Sequence, residues 1–142
     1  MDEDLVVWDD SLSVEFAPID NQHKELVAMI NEHIKSCKAG GGEADSAFMQ
    51  TFEKTVAYAR THFSDEEKHL RDAFFPNIDA HKEMHFQFLF ELVNIVNEVE
   101  SGKSTPLNMV TFLKTWLMNH IAVTDKQYVP YLKKKNDRPR LI

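Results

Sequence analysis

Cysteine is almost absent from this sequence, and so are the long apolar runs that mark membrane proteins. The single cysteine, Cys37, has no partner within the chain for a disulfide, and by itself it cannot build a thiolate metal cluster. No apolar run approaches the roughly 18–20 residues that a membrane-crossing helix needs, so no membrane association is expected. A metal site would therefore need other side chains.

The sequence also lacks an excess of positive charge. Its formal net charge is −7 at pH 7, which argues against nucleic acid as a general partner. The residues from Met1 to Asp4 are acidic and lack the basic and apolar regions of a signal peptide. We therefore expect a cytoplasmic protein. Its 142 residues, without repeats, favour a single domain over 1–142 and a monomer.

Proline and glycine are few, and they divide the chain into four segments with helical patterning. The breakers are Pro18, the loop around Gly40, Pro76, and the stretch from Gly102 to Pro106. Between them, apolar residues recur every three or four positions. The pattern predicts an extended arm over 1–17, helices at about 20–38, 44–72, 77–100 and 106–125, and a tail over 126–142 with a short helix.

Four similar helices joined by short loops favour one architecture. We expect an all-α protein whose core is an antiparallel up-down-up-down four-helix bundle. Asp20 is the expected N-cap of the first helix, because its short carboxylate can accept hydrogen bonds from the free amides of a first turn.

The inward stripes of these helices carry polar side chains where apolar ones belong. The core positions in question are held by His62, Glu66, His81, His85 and His120. Burying such groups unpaired costs several kcal/mol each, so a cluster of them indicates that something binds there. His62 and Glu66 are four residues apart, as are His81 and His85. Each pair therefore points to one face of its helix.

Topology brings further polar residues to the same depth. In an antiparallel bundle, the starts of the first and third helices lie beside the ends of the second and fourth. His23 is near the start of the first helix, and His120 and Asp125 are near the end of the fourth, so they join the same layer. His120 and Asp125 are five residues apart, and both can reach one site only if the helix ends or unwinds between them.

The donor set predicts two metals with one vacant coordination position. Five imidazoles, two bridging carboxylates and one bridging solvent oxygen fall one bond short of two complete octahedra. A small ligand binds at such an open position. Imidazole and carboxylate suit iron, but also zinc, nickel and copper, so these donors leave the metal's identity open.

Four motifs together are typical of one family. They are Ile19-Asp20-Asn21-Gln22-His23-Lys24, His62-Phe63-Ser64-Asp65-Glu66-Glu67, the His81 and His85 pair, and Trp116-Leu117-Met118-Asn119-His120-Ile121 through Asp125. With them the chain resembles the hemerythrin family, in particular bacterial hemerythrin-like proteins, from Trp8 to about Leu132. The resemblance implies a non-haem diiron centre with a bridging oxo or hydroxo group, and reversible dioxygen binding for storage, delivery or sensing.

The resemblance also implies how the ligands divide between the irons. A six-coordinate iron would be held by His81, His85 and His120, a five-coordinate iron by His23 and His62, and both by the bridging carboxylates Glu66 and Asp125. Dioxygen would bind at the five-coordinate iron, where nitric oxide, azide or another small anion could also bind.

An apolar lining must keep water and protons away from such a site. Four candidates lie next to or one turn from a ligand, and two more, on the arm and the tail, could close the end. They are Phe63, Trp116, Leu117 and Ile121, with Trp8 and Tyr128 as the closing residues. Each is also a plausible core residue, so one side chain can serve both purposes.

Two other functions could use the same residues. One is an enzyme, a diiron peroxidase or a scavenger of nitric oxide or peroxide at the open site. The other is a metal store or a bundle stabilised by zinc. Oxygen binding is favoured because imidazoles outnumber carboxylates, and carboxylate-rich sites stabilise the higher iron oxidation states that activate oxygen.

Four other residues are expected at the periphery. His69 lies roughly 10 Å along the helix from His62, too far to bind the same metal, and should be partly exposed. His33 lies off the inward stripe of its helix and should be solvated, whereas Cys37 should be a buried or edge thiol. Glu15 is either exposed or a carboxylate at the mouth of the pocket.

Overall fold

The computed structural model describes residues 5–39 and 41–137, apart from the side chains of residues 39, 41–47, 136 and 137. These residues form helices joined by turns, and none of them lies in a strand. The first four residues of the predicted arm, Gly40 of the predicted loop and residues 138–142 of the predicted tail lie outside the described ranges.

Four helices pack as a bundle, and a fifth follows. α1 spans Ala17–Ala39, α2 Gly41–Asp72, α3 Ile78–Glu100, α4 Leu107–Trp116 and α5 Val129–Asp137. α1 packs on α2, α2 on α3 and α3 on α4, while α4 closes the bundle against α1 and α5 packs beside α2. The prediction of an all-α four-helix bundle with a short C-terminal helix is confirmed. Among the described helices, none has the length and apolar character to cross a membrane.

The apolar core is split in two by a polar layer. The larger cluster lies toward the α1–α2 turn and includes Ile30, Leu92 and Leu113, all with 0% exposure. A smaller cluster at the other end of the bundle lies around Leu70 and Tyr128. It joins the arm and α5 to the start of α1 and the end of α2. The polar residues of the inward stripes lie between them, so water is kept out from both sides.

α1 begins at Ala17, three residues before the predicted start. The expectation that Asp20 is its N-cap is therefore wrong, because Asp20 already lies in the first turn. Its carboxylate instead accepts hydrogen bonds from the Ser13 hydroxyl at 2.6 Å and from the Val14 amide at 2.8 Å. Asp20 thus ties the N-terminal arm to α1 and fixes where the first helix starts.

The predicted break between His120 and Asp125 takes the form of a π-helix. The chain continues from α4 into a π-helical segment over Leu117–Thr124 and then a 3-10 turn over Asp125–Tyr128. The amide of Asp125 donates to the carbonyl of His120, five residues earlier. This wider turn aligns residues five apart, which an α-helix cannot do.

The prediction that His33 is solvated is wrong. Its side chain is buried, and its Nε2 lies 3.0 Å from the carbonyl oxygen of Pro106. A carbonyl can only accept, so Nε2 carries the proton and Nδ1 accepts from the Thr51 hydroxyl at 3.2 Å. His33 joins α1 to α2 and to the loop before α4, and the Cys37 thiol lies 3.6 Å from its Nε2.

Because His33 is buried and neutral, it should make stability depend on pH. Burial lowers its pKa, although the hydrogen bond to Pro106 partly opposes this. The unfolded chain therefore binds a proton that the folded chain excludes, and stability falls as pH drops below about 6.5. In urea unfolding of metal-free protein from pH 8 to pH 5.5, the wild type should lose more stability than His33→Gln. The difference has a ceiling of about 1.4 kcal/mol per pH unit. Parallel pH profiles for the two proteins would contradict this.

Candidate metal centre

Seven polar side chains meet in the layer between the two apolar clusters. α1 provides His23 near its start, and α2 provides His62 and Glu66 near its end. The start of α3 provides His81 and His85. The π-helical segment provides His120, and the 3-10 turn after it provides Asp125. Each is at most 5% exposed. The structure therefore brings together all seven residues that the sequence placed at one depth.

The Glu66 carboxylate is shared between two groups of histidines. Its Oε1 lies 2.5 Å from Nε2 of His81 and 3.2 Å from Nε2 of His85. Its Oε2 lies 3.0 Å from Nε2 of His62 and 3.6 Å from Nε2 of His23. One oxygen thus faces the α3 pair, and the other faces the pair from α1 and α2.

Asp125 repeats this arrangement from the opposite direction. Its Oδ1 lies 3.1 Å from Nε2 of His81 and 3.0 Å from Nε2 of His120, and its Oδ2 lies 3.4 Å from Nε2 of His23. Two groups that could hold metal result, both containing Glu66. One adds His81, His85 and His120, and the other adds His23 and His62.

The spacing of the donor atoms fits a metal on each side. Ligands at adjacent corners of an octahedron with bonds near 2.1 Å lie about 3.0 Å apart. The seven nitrogen-to-oxygen distances around Glu66 and Asp125 range from 2.5 to 3.6 Å, on either side of this value. Several of these atoms are buried without a hydrogen-bond partner, among them Nε2 of His85 and of His120 and both oxygens of Asp125. Buried polar atoms that converge without hydrogen-bonding to one another fit a set of metal ligands.

Electrostatics keep Glu66 ionised although it is fully buried. Burial by itself raises its pKa, but the surrounding imidazoles of His23, His62, His81 and His85 outweigh burial and hold the pKa well below its ordinary range. The pKa of His81 shifts in the opposite direction, upward. Burial lowers this pKa, but the contacts with Asp125 and Glu66 raise it to about 9. Glu66 therefore carries a negative charge that a cation can neutralise.

Hydrogen bonds to two residues that are not metal ligands orient two of the histidine rings. Nδ1 of His62 donates to Oε1 of Gln22 at 2.7 Å, and Nδ1 of His85 donates to Oε2 of Glu67 at 2.8 Å. A donor bond on one ring nitrogen leaves the other free to bind metal. Sequence reasoning assigned neither role. Gln22 precedes His23 and Glu67 follows Glu66, and this adjacency was the only available signal.

Aromatic side chains hold two of the histidines from the apolar side. The ring of Phe63 stacks on His85 at 3.8 Å between centroids, and Trp116 stacks on His120 at 3.9 Å. Phe63 also contacts His62, with centroids 5.7 Å apart. The predicted lining residues Leu117 and Ile121 are 0% and 1% exposed, one turn or less from His120.

The two predicted closing residues differ in their contacts. Tyr128 is fully buried, and its hydroxyl donates to Oε2 of Glu66 at 3.3 Å. Trp8 is half-buried at the edge of the larger apolar cluster, where the Lys24 ammonium lies 5.3 Å from its ring centroid. Tyr128 therefore touches the site itself, whereas Trp8 covers the bundle from the arm.

A further tyrosine was not anticipated from the sequence. Tyr58 lies one turn before His62 on α2, and its ring stacks on the His62 ring at 5.2 Å and 17°. Burial raises the pKa of its phenol well above the ordinary value, and the negative charges of Glu66, Asp125 and Glu25 raise it further. Its spacing of four residues from His62 was the available signal in the sequence.

Two peripheral expectations are confirmed. His69 is half-buried, and its ring meets Phe16 edge-on at 4.8 Å, in the smaller apolar cluster rather than at the site. Glu15 is exposed and pairs with Lys133 at 3.1 Å, so it does not face the pocket.

Removing one histidine of the site should abolish metal binding, whereas removing the outlying histidine should not. We expect His120→Ala to lose bound metal, because the side with three histidines loses one nitrogen ligand and Asp125 loses one of its imidazole contacts. His69→Ala should retain it. Metal analysis of the two purified variants checks this, and loss of metal in the His69 variant would contradict the assignment.

Glu67 should strengthen metal binding through His85, without itself being a metal ligand. Glu67→Gln removes the charge that holds Nδ1 of His85, and metal affinity should fall about 10- to 100-fold. Competition with a chelator measures this. The matched control is Glu83→Gln, at an exposed residue of α3 that bonds only Gln87 among the described residues. Equal affinities in the two variants would exclude the role of Glu67.

Comparison with known proteins places this geometry in a family. Residues 16–132 match the family described as the hemerythrin HHE cation binding domain. The chain is 34% identical to a bacteriohemerythrin of Pseudomonas aeruginosa over 87% of its own length and 79% of the relative's. It is 30% identical to a bacteriohemerythrin of Stenotrophomonas maltophilia, over 91% of this chain and 82% of that one.

More distant relatives and solved structures agree. A myohemerythrin of Theromyzon tessulatum is 29% identical over 85% of this chain and 88% of its own. A wild-type hemerythrin crystal structure matches the fold with a TM-score of 0.76 at 24% identity, over 90% of this chain and 98% of that chain. The family match spans most of the chain and contains all seven side chains of the polar layer, and so this protein belongs to the hemerythrin family.

Proposed function

We propose that the seven buried side chains hold two iron ions and that the protein binds dioxygen reversibly there, in storage, delivery or sensing. One observation carries the proposal above the others. Each of the two buried carboxylates directs oxygen toward both histidine groups, which is the arrangement of a bridging ligand. Membership of the hemerythrin family supports iron over the other metals that imidazole and carboxylate accept.

The unequal size of the two groups indicates where a small ligand would bind. Three histidines surround one side and two the other. With both carboxylates shared, the side with His23 and His62 has one protein donor fewer. We therefore assign the open position to the His23 and His62 side, and His81, His85 and His120 to the saturated one.

The bound irons would supply the electrons that make dioxygen binding reversible. The residues of this chain hold and protect the site. Five imidazoles against two carboxylates limit the negative charge, and Gln22 and Glu67 fix two of the rings. Leu117, Ile121 and the stacked Phe63 exclude water, which would otherwise displace the ligand and leave the irons oxidised.

The direct test is an oxygenation cycle on iron-loaded, reduced protein. We expect a visible absorption band to appear when oxygen is admitted and to disappear when it is removed under argon, over repeated cycles. Metal analysis should find two irons per chain. A band that never forms, or that gives way at once to oxidised iron, would contradict reversible binding. One zinc and no iron would reject the diiron centre.

A further inference from the structure

The hydroxyl of Tyr58, next to the metal ligands, is an unpaired buried group in the described part of the chain. The Tyr58 hydroxyl is buried and has no hydrogen-bond partner among the described residues. The hydroxyl of the fully buried Tyr128, by contrast, lies 3.3 Å from Oε2 of Glu66. A buried hydroxyl without a partner is costly, and tyrosine usually finds one when it is buried. The Tyr58 hydroxyl is therefore available to a partner outside the described residues.

The position of Tyr58 indicates which partner this is. Its ring lies nearly parallel to that of His62, at 5.2 Å and 17°, one turn earlier on α2. On the other side of the centre, Phe63 stacks on His85 without a polar atom, and Trp116 stacks on His120 with only its indole N–H as a donor. Tyr58 thus offers a hydrogen-bond donor on the side with His23 and His62, which is the side with fewer metal ligands.

We propose that the Tyr58 hydroxyl donates a hydrogen bond to the small ligand that binds at the His23 and His62 side. The proposal rests on the diiron function proposed above and adds a ligand-selecting residue to it. The ligands concerned are small, electron-rich molecules such as dioxygen, nitric oxide or azide, whose outer atoms accept a hydrogen bond. A phenol O–H can donate to such an atom.

A hydrogen-bond donor next to the bound ligand selects among ligands. It favours those that carry negative charge on their outer atoms when bound, because a hydrogen bond to a charged acceptor is stronger than one to a neutral acceptor. It leaves the metal ligands unchanged. Tyr58 should therefore affect ligand affinity and the ligand's vibrations, but not iron content.

The test uses azide as the probe on the oxidised, iron-loaded protein. Tyr58→Phe removes only the hydroxyl, and the matched control is Tyr131→Phe, whose ring packs on Phe75 away from the site. Azide affinity follows from a visible titration, and infrared spectra in H2O and D2O report the azide stretch. We expect Tyr58→Phe to weaken azide binding about tenfold. Its stretch should shift and lose its sensitivity to D2O, whereas Tyr131→Phe should behave as the wild type.

Other outcomes would overturn the proposal. An unchanged affinity and stretch would show that the hydroxyl does not reach the ligand. Lower iron content, or a lower melting temperature of the iron-free variant, would show that Tyr58 supports His62 structurally instead. An intense phenolate-to-iron band in the wild type, lost in the variant, would make Tyr58 a metal ligand. A wild type without two irons would refute the diiron function itself, whereas iron-loaded protein that binds azide but not oxygen would still test Tyr58.

Discussion

The buried Glu66 carboxylate determines much of the rest of this structure. It lies in the centre of the bundle with no exposed surface, and four histidines contact it. An ionised carboxylate at that depth is tolerated only when it is fully partnered, and Asp125 imposes the same demand from the other side. The helices must therefore deliver five imidazoles to one layer. Two iron ions would complete the neutralisation that the imidazoles begin.

The local structure around the layer provides partners for both carboxylates and holds those partners in place. The chain after α4 widens into a π-helix, and this aligns His120 with Asp125. Phe63 and Trp116 press flat against two of the histidines, and Gln22 and Glu67 fix the outer nitrogens of two rings. The apolar clusters on either side hold the layer in place. Stability and metal binding thus depend on the same packing.

Much of this could be predicted from the sequence, because loops and spacing determine depth in an antiparallel bundle. The pattern predicted the helices, the common layer of seven residues, and the need for a distortion before Asp125. It did not predict a π-helix, since periodicity shows only that an α-helix fails there. It misplaced His33, because α1 packs against both α2 and α4 and buries a wider sector than one stripe. The roles of Tyr58 and Glu67 depend on ring orientations that no sequence pattern specifies.

The central claim is that two metals share Glu66 and Asp125, and anomalous diffraction at the iron edge tests it most directly. Crystals of iron-loaded protein should show two strong peaks. One should lie among His81, His85 and His120, and the other beside His23 and His62, with both carboxylates between them. A single peak, or peaks away from this layer, would contradict the account.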